Sequence, residues 1–185
     1  MGKIVAEHWV NADLKRVFAF FSDPRNLPRL MPKEMDVRLE ELTLVPPPPE
    51  ALRMVVESGA IPETVVESGS NQAEIVGRGS QIVISFRLLP FLPFRGRWVA
   101  EILEYEPLSH FVDEQRSGPM RSWRHRHSFR PESRNGVEGT IVRDEVDYHL
   151  PFGILGRGAD SLIVERMMRR TFTTRQAQLT LFFPS

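Results

Sequence analysis

Apolar residues change their spacing several times along this chain, and each change marks an element. Residues 3–10 form a short segment that stops at Asn11-Ala12-Asp13, after which Leu14, Val17, Phe18 and Phe21 recur at helical intervals. A strand followed by a helix is predicted. Asp23-Pro24 ends that helix, and Leu27, Leu30 and Met31 predict a second short helical piece before Pro32. A strand is expected over residues 35–45, up to four consecutive prolines, Pro46 to Pro49. The stretch 46–72, rich in Pro, Ser, Gly and Glu, is expected to be an irregular insertion within a single domain spanning 1–185.

From residue 73 onward the pattern becomes that of consecutive antiparallel strands, at 73–89 with breaks at Gly77 and Gly79, then 97–105, 111–117, 122–129 and 140–150. Glu106-Pro107, Gly118-Pro119 and Asn135-Gly136 separate them. The Asn-Gly pair is the dipeptide favoured where both central turn residues need positive φ. After Pro151 and Gly153, residues 155–183 carry Val164, Met168, Phe172, Leu179 and Phe182 on one stripe, with Arg166, Arg169 and Arg170 largely opposite. A long amphipathic helix is predicted. It is the only element long enough to cover the apolar face of the sheet, and a sheet that bends around a helix leaves a cavity between them.

Composition narrows the chemistry. The 185 residues carry 24 Lys plus Arg against 24 Asp plus Glu, with 41% hydrophobic residues and no cysteine. A chain of this size can build a full core without disulfide or metal staples. Absent cysteine removes thiolate catalysis and Cys-ligated metals, and is compatible with a reducing, cytoplasmic setting. Zero net charge argues against nucleic acid as a partner. No apolar run approaches the roughly 20 residues of a membrane span, and the first residues lack the apolar core of a signal peptide. Gly77-Arg78-Gly79 lacks the rest of a dinucleotide fingerprint, and no Gly-x-Ser-x-Gly elbow occurs. Hydride transfer and nucleophilic hydrolysis are therefore not expected.

The residues themselves carry a resemblance. Val17-Phe18, Phe20-Phe21-Ser22-Asp23-Pro24, Asn26-Leu27 and Leu30-Met31-Pro32 resemble the first helix pair of the START-like, or SRPBCC, helix-grip superfamily, which includes the major birch pollen allergen. Phe111-Val112-Asp113-Glu114-Gln115, Gly118-Pro119, Trp123, His125, His127, Phe129, Asp144-Glu145-Val146, Tyr148 and Leu150-Pro151 resemble a bacterial ligand-binding branch labelled cyclase/dehydrase. The resemblance covers the chain except residues 46–72. It implies an α+β helix-grip fold, with a curved antiparallel sheet wrapped around the long C-terminal helix and two short helices after the first strand. It also implies a hydrophobic small-molecule ligand such as a lipid, isoprenoid or polyketide-like compound. A cyclase or dehydratase activity is the alternative, and a module delivering cargo to a membrane or another protein is a third.

On the strand 122–129, Trp123, His125, His127 and Phe129 share one face, expected to be concave. If Asn135-Gly136 forms a two-residue turn, His127 faces Asp144, His125 faces Val146 and Trp123 faces Tyr148. A histidine opposite a carboxylate can move protons, anchor a polar ligand head, or be a satisfied structural pair. In the enzyme reading, His127 and Asp144, helped by Tyr148 or His125, are the catalytic residues. His125 and His127 supply two metal ligands, with oxygen available from Asp113, Asp144 or Glu114, but no compact third histidine accompanies them. No metal and no cofactor are expected. The resemblance favours Asp113 and Gln115 pointing inward, while the turn at Gly118-Pro119 leaves the opposite face open to them. The expected cavity lining is Trp98, Ile102, Trp123, Phe129 and Tyr148 from the sheet, with Val164, Met168 and Phe172 from the helix. Arg175 falls within the helix's apolar stripe, where it would reach a ligand carboxylate or an inward acid such as Asp113 or Asp144, or snorkel to water. Leu88, Leu89, Phe91, Leu92 and Phe94, interrupted by two prolines, are expected to form an apolar loop at the cavity rim or a surface for transient membrane or protein contact, the alternative being that they fold inward as core.

Overall fold

A computed structural model of the protein describes residues 1–57, 75–87, 94–150 and 159–184. Among these, seven antiparallel strands form one curved sheet: β1 (Gly2–Val10), β2 (Arg38–Thr43), β3 (Gln81–Phe86), β4 (Gly96–Glu106), β5 (His110–Ser117), β6 (Ser122–Pro131) and β7 (Thr140–His149). Their order is β1-β7-β6-β5-β4-β3-β2. Strands β2 to β7 therefore run as neighbours in sequence order, and β1 adds to β7 at the far edge. The helices that accompany them are α1 (Leu14–Ser22), α2 (Leu27–Leu30), α3 (Pro49–Glu57) and α4 (Ala159–Phe182). The sheet grips α4, and the architecture is the α+β helix-grip fold.

Local chemistry sets the helix starts. Asp13 caps α1 by accepting a hydrogen bond from the Arg16 amide at 3.0 Å. Asp23 ends that helix and caps the 3-10 turn Pro24–Asn26 in the same way. The buried side of α1 is Val17, Phe18 and Phe21. The Phe18 ring meets Tyr105, Phe111 and Phe129 edge-on with centroids 5.2 to 6.3 Å apart, which ties α1 to β4, β5 and β6.

One expectation needs correction. Residues 49–57, expected to be irregular, are helical: Pro49 occupies the first turn, where its missing N–H costs nothing, and Ala51 is fully buried. The rest of that stretch, 58–72, and residues 88–93 of the apolar loop lie outside the described residues, although Phe94 itself is exposed. Of the strand expected over 73–89, the described residues 75–87 form a strand only at β3, Gln81–Phe86. Just before it, the Ser80 amide turns back to the Gly77 carbonyl at 3.1 Å, and its buried hydroxyl accepts from the Val45 and Gly77 amides and donates to the Val45 carbonyl.

The Asn135-Gly136 turn forms as its sequence predicts. Arg134 and Val137 exchange both backbone hydrogen bonds at 2.9 Å, and the two central residues have φ of 52° and 78°. The β6–β7 register follows, pairing Trp123 with Tyr148, His125 with Val146 and His127 with Asp144. No atom would obstruct a Cβ at Gly136, so Gly136→Ala isolates the backbone strain. It is expected to cost about 1 kcal/mol in urea unfolding, and a neutral result would mean the turn relaxes to another type.

Candidate functional site

Three neighbouring strands bring the polar side chains together. Asp113 of β5 stands opposite His125 of β6, and His127 of β6 stands opposite Asp144 of β7, so two histidines lie between two carboxylates. His125 Nε2–H donates to Asp144 Oδ1 at 2.9 Å, and His127 Nε2–H donates to Asp113 Oδ2 at 3.2 Å. The remaining nitrogens face the other acid in each case. His125 Nδ1 lies 3.7 Å from Asp113 Oδ2, and His127 Nδ1 lies 2.9 Å from Asp144 Oδ1. That last contact is close but off the N–H direction, which leaves His127 Nδ1 buried without a hydrogen bond.

The fifth member comes from α4. Arg175 donates from Nη1 to Asp144 Oδ1 at 2.9 Å, its guanidinium centred 4.8 Å from the Phe21 ring centroid. Of the alternatives open to it, Arg175 therefore reaches an inward acid. Aromatic rings fix the imidazoles further: His127 stacks on Phe111 at 4.4 Å between centroids, and His125 meets the edge of Phe172 at 6.0 Å.

Burial and charge oppose each other across this cluster. Burial pushes the Asp144 carboxyl up, but Arg175 and the contacts from His125 and His127 together hold it well below the usual carboxylate range. Asp113 is likewise held low against burial by His127, His125 and Arg175. For His125 burial is the largest effect and, with the neighbouring His127, outweighs the two carboxylates, so its pKa falls below the ordinary value.

A cavity of about 200 Å³, partly open to solvent, lies between α4, the N-terminal helices and the sheet. Among the anticipated residues, Trp98, Ile102, Asp113, Trp123, His125, His127, Met168, Phe172 and Arg175 line it. Five do not, each for a definite reason. Phe129 packs into the core beside Phe18 and Phe21. Tyr148 and Val164 pack with Val146, Met168 and Phe172 in a separate cluster, and the Tyr148 ring covers Gly2. Gln115 folds back to donate to the Met120 carbonyl at 2.7 Å and brace the β5–β6 turn. Asp144 sits behind the histidines, reached through them and Arg175 rather than from the cavity.

Further walls come from residues that the sequence pattern did not assign to the cavity, chiefly Phe21, Leu27, Leu30, Met31 and Met35 before β2 and Met120 in the β5–β6 turn. Leu27, Leu30 and Met31 stand out at helical spacing, yet spacing alone does not say which side a four-residue helix presents.

A family model described as "Polyketide cyclase / dehydrase and lipid transport" matches residues 10–177. The chain belongs to this family. The match runs from the end of β1 into α4 and so takes in the strands β5, β6 and β7 that carry the polar cluster. No curated protein sequence matches the chain. Solved structures share the fold at low identity. The protein TTHA0849 from Thermus thermophilus is 18% identical with a TM-score of 0.62, covering 96% of this chain and 94% of its own. Ginseng major latex-like protein 151 from Panax ginseng is 11% identical with a TM-score of 0.60, covering 100% and 98%. A START superfamily protein from Mycobacterium smegmatis is 8% identical with a TM-score of 0.58, covering 97% and 98%. At these identities the likeness to the solved structures extends to the fold alone.

Proposed function

We propose that the protein binds a hydrophobic small molecule, of lipid, isoprenoid or polyketide-like character, in the cavity between the sheet and α4. The observation that carries this reading is the shape and chemistry of the cavity. Its walls are chiefly Ile, Leu, Met, Phe and Trp side chains, and Asp113, His125, His127 and Arg175 form one polar group on them, with Asp23, Asn26 and Thr171 elsewhere in the lining. At about 200 Å³ it exceeds the roughly 150 Å³ of an apolar cavity that takes up benzene. A ligand with an apolar body and one polar head would match both parts. The family's description, which includes lipid transport, supports the same class. No described helix is long and apolar enough to cross a membrane, and the cysteine-free sequence accords with a cytoplasmic carrier.

Native mass spectrometry of the purified protein, with extraction and identification of whatever copurifies, tests this directly. Ala100 lines the cavity from β4, and Ala100→Phe would project a ring into it. We expect that variant to fold and to bind a fluorescent fatty-acid probe at least ten-fold more weakly. Probe affinity equal to wild type in a folded variant would move binding away from this cavity.

A second reading is favoured by the cluster itself: a cyclase or dehydratase in which His127 and Asp113, both facing the cavity, transfer protons on a bound carbonyl compound. Asp144 would then hold the imidazoles, and Tyr148, packed away over Gly2, would take no part. Turnover of a cyclisable ketone substrate that His127→Gln abolishes, with binding retained, would select it.

A further inference from the structure

The two histidines are oriented as a pair, and both orientations point to the same place. Each imidazole turns one nitrogen toward Asp144 and the other toward Asp113. His125 Nδ1 and His127 Nε2 converge on a single oxygen, Asp113 Oδ2, at 3.7 and 3.2 Å. Around a tetrahedral zinc ion with ligand bonds of about 2.0–2.2 Å, neighbouring donor atoms stand roughly 3.4 Å apart. The two distances straddle that spacing, and the three residues offer donor atoms within 4.8 Å of one another.

We propose that Asp113, His125 and His127 form a binding site for a divalent metal ion of the zinc class, with Asp144 and Arg175 as its outer support. Asp144 occupies the position a carboxylate takes when it orients metal-bound imidazoles through their far nitrogens. It already receives His125 Nε2–H. Nδ1 of His127 is buried without a hydrogen-bond partner, yet lies 2.9 Å from the same oxygen. With a metal on Nε2, the His127 proton moves to Nδ1, 2.9 Å from Asp144 Oδ1, and a small rotation of the ring would bring that N–H onto the carboxylate.

Charge favours the same ion. With both imidazoles neutral, the carboxylates of Asp113 and Asp144 exceed the Arg175 guanidinium by one negative charge. A divalent ion turns that into one positive charge, which a single anionic oxygen would neutralise. Asp113, His125 and His127 line the cavity and Asp144 does not, so the fourth coordination position opens on the cavity side. The group it would take is a carboxylate, an enolate or hydroxide. His125 and His127 account for two ligands, as their i, i+2 spacing suggested; the third is Asp113, from the neighbouring strand. The site does not depend on the carrier reading, since the ion would bind with the cavity empty and a metal-free carrier would still take up the fatty-acid probe.

Chelator-treated wild-type protein titrated with Zn²⁺ by calorimetry should bind one equivalent saturably. Co²⁺ in its place should give the visible bands of a tetrahedral ion. Asp113→Asn and His127→Gln are each expected to weaken Zn²⁺ binding at least ten-fold, whereas His110→Gln/His149→Gln leaves it unchanged. Should a variant fail to fold by circular dichroism, the wild type still decides: Zn²⁺ must shift the ring signals of His125 and His127 in NMR and spare those of His110 and His149. Absence of saturable binding to folded wild type overturns the proposal, as does binding that survives both single substitutions.

Discussion

Arg175→Met should destabilise the protein by about 3–5 kcal/mol, the usual cost of removing one partner from a buried ion pair. Arg175 and Asp144 are 9% and 5% exposed, and they meet at 2.9 Å. Without the guanidinium Asp144 keeps only its imidazole neighbours, of which burial holds His125 toward the neutral form, so the charge is left with weak compensation. Methionine fills most of the volume and packs against Phe21, which confines the loss to electrostatics. For a chain of this length the midpoint of thermal unfolding should fall by roughly 10 °C. Urea unfolding with an unchanged slope is the cleaner measurement, and a loss below about 1 kcal/mol would place the Arg175 guanidinium in water rather than on Asp144.

Acid should unfold the metal-free protein in two stages. Burial, and then the neighbouring His127, lower the folded pKa of His125 below 6.5 against the pull of both carboxylates. Folded His125 therefore holds fewer protons than unfolded His125. Its contribution is complete above the unfolded value of about 6.5 and is lost as pH falls through the folded one. Asp144 acts lower on the scale. Burial raises its pKa, but Arg175 and the two histidines hold the folded value well below 3.8. That contribution is complete above an unfolded value of about 3.9 and disappears as pH falls through the folded value. Both act in the same direction. Urea midpoints taken at successive pH values should start to fall below about pH 6.5 and steepen below about pH 4, with His125→Gln flattening the first stage. A wild-type midpoint constant from about pH 7 to 5 would show that His125 titrates as an exposed histidine does.

What the sequence revealed about the site depended on how tightly each turn was specified. Asn135-Gly136 permits essentially one hairpin geometry, so the placement of His127 opposite Asp144 could be read from residue numbers alone. Arg175 was conspicuous because a charge interrupted an apolar stripe, though spacing could not choose among its partners. Gly118-Pro119 belongs to a longer connection, Gly118 to Arg121, closed by Gln115 gripping Met120 and by Arg121 donating to His149. Such a loop does not dictate register, and so the pairing of Asp113 with His125 was hidden. Position 115 shows the limit differently. Face alternation placed it with Asp113, but a local hydrogen bond redirected its side chain. The helix at 49–57 escaped because four prolines and flanking Ser, Gly and Glu dominate its composition, whereas the contacts that hold it come from α1.

The strand order also governs how the chain assembles during synthesis. Strands β2 to β7 each find a partner that is adjacent in sequence, so the meander forms by short closures. Strand β1 cannot: Val10 pairs with Thr140 and Gly2 with Tyr148, which are made last among the strands. A growing chain must carry its first ten residues unpaired until nearly the whole sheet exists, and then close a very long loop. Alternating charges bear the risk of that wait. Lys3 and Glu7 on β1 later meet Glu145 and Arg143 on β7, at 3.6 and 3.5 Å. While waiting, they make the nascent strand a poor template for neighbouring chains, and on arrival they favour the one register that seats the cluster behind them.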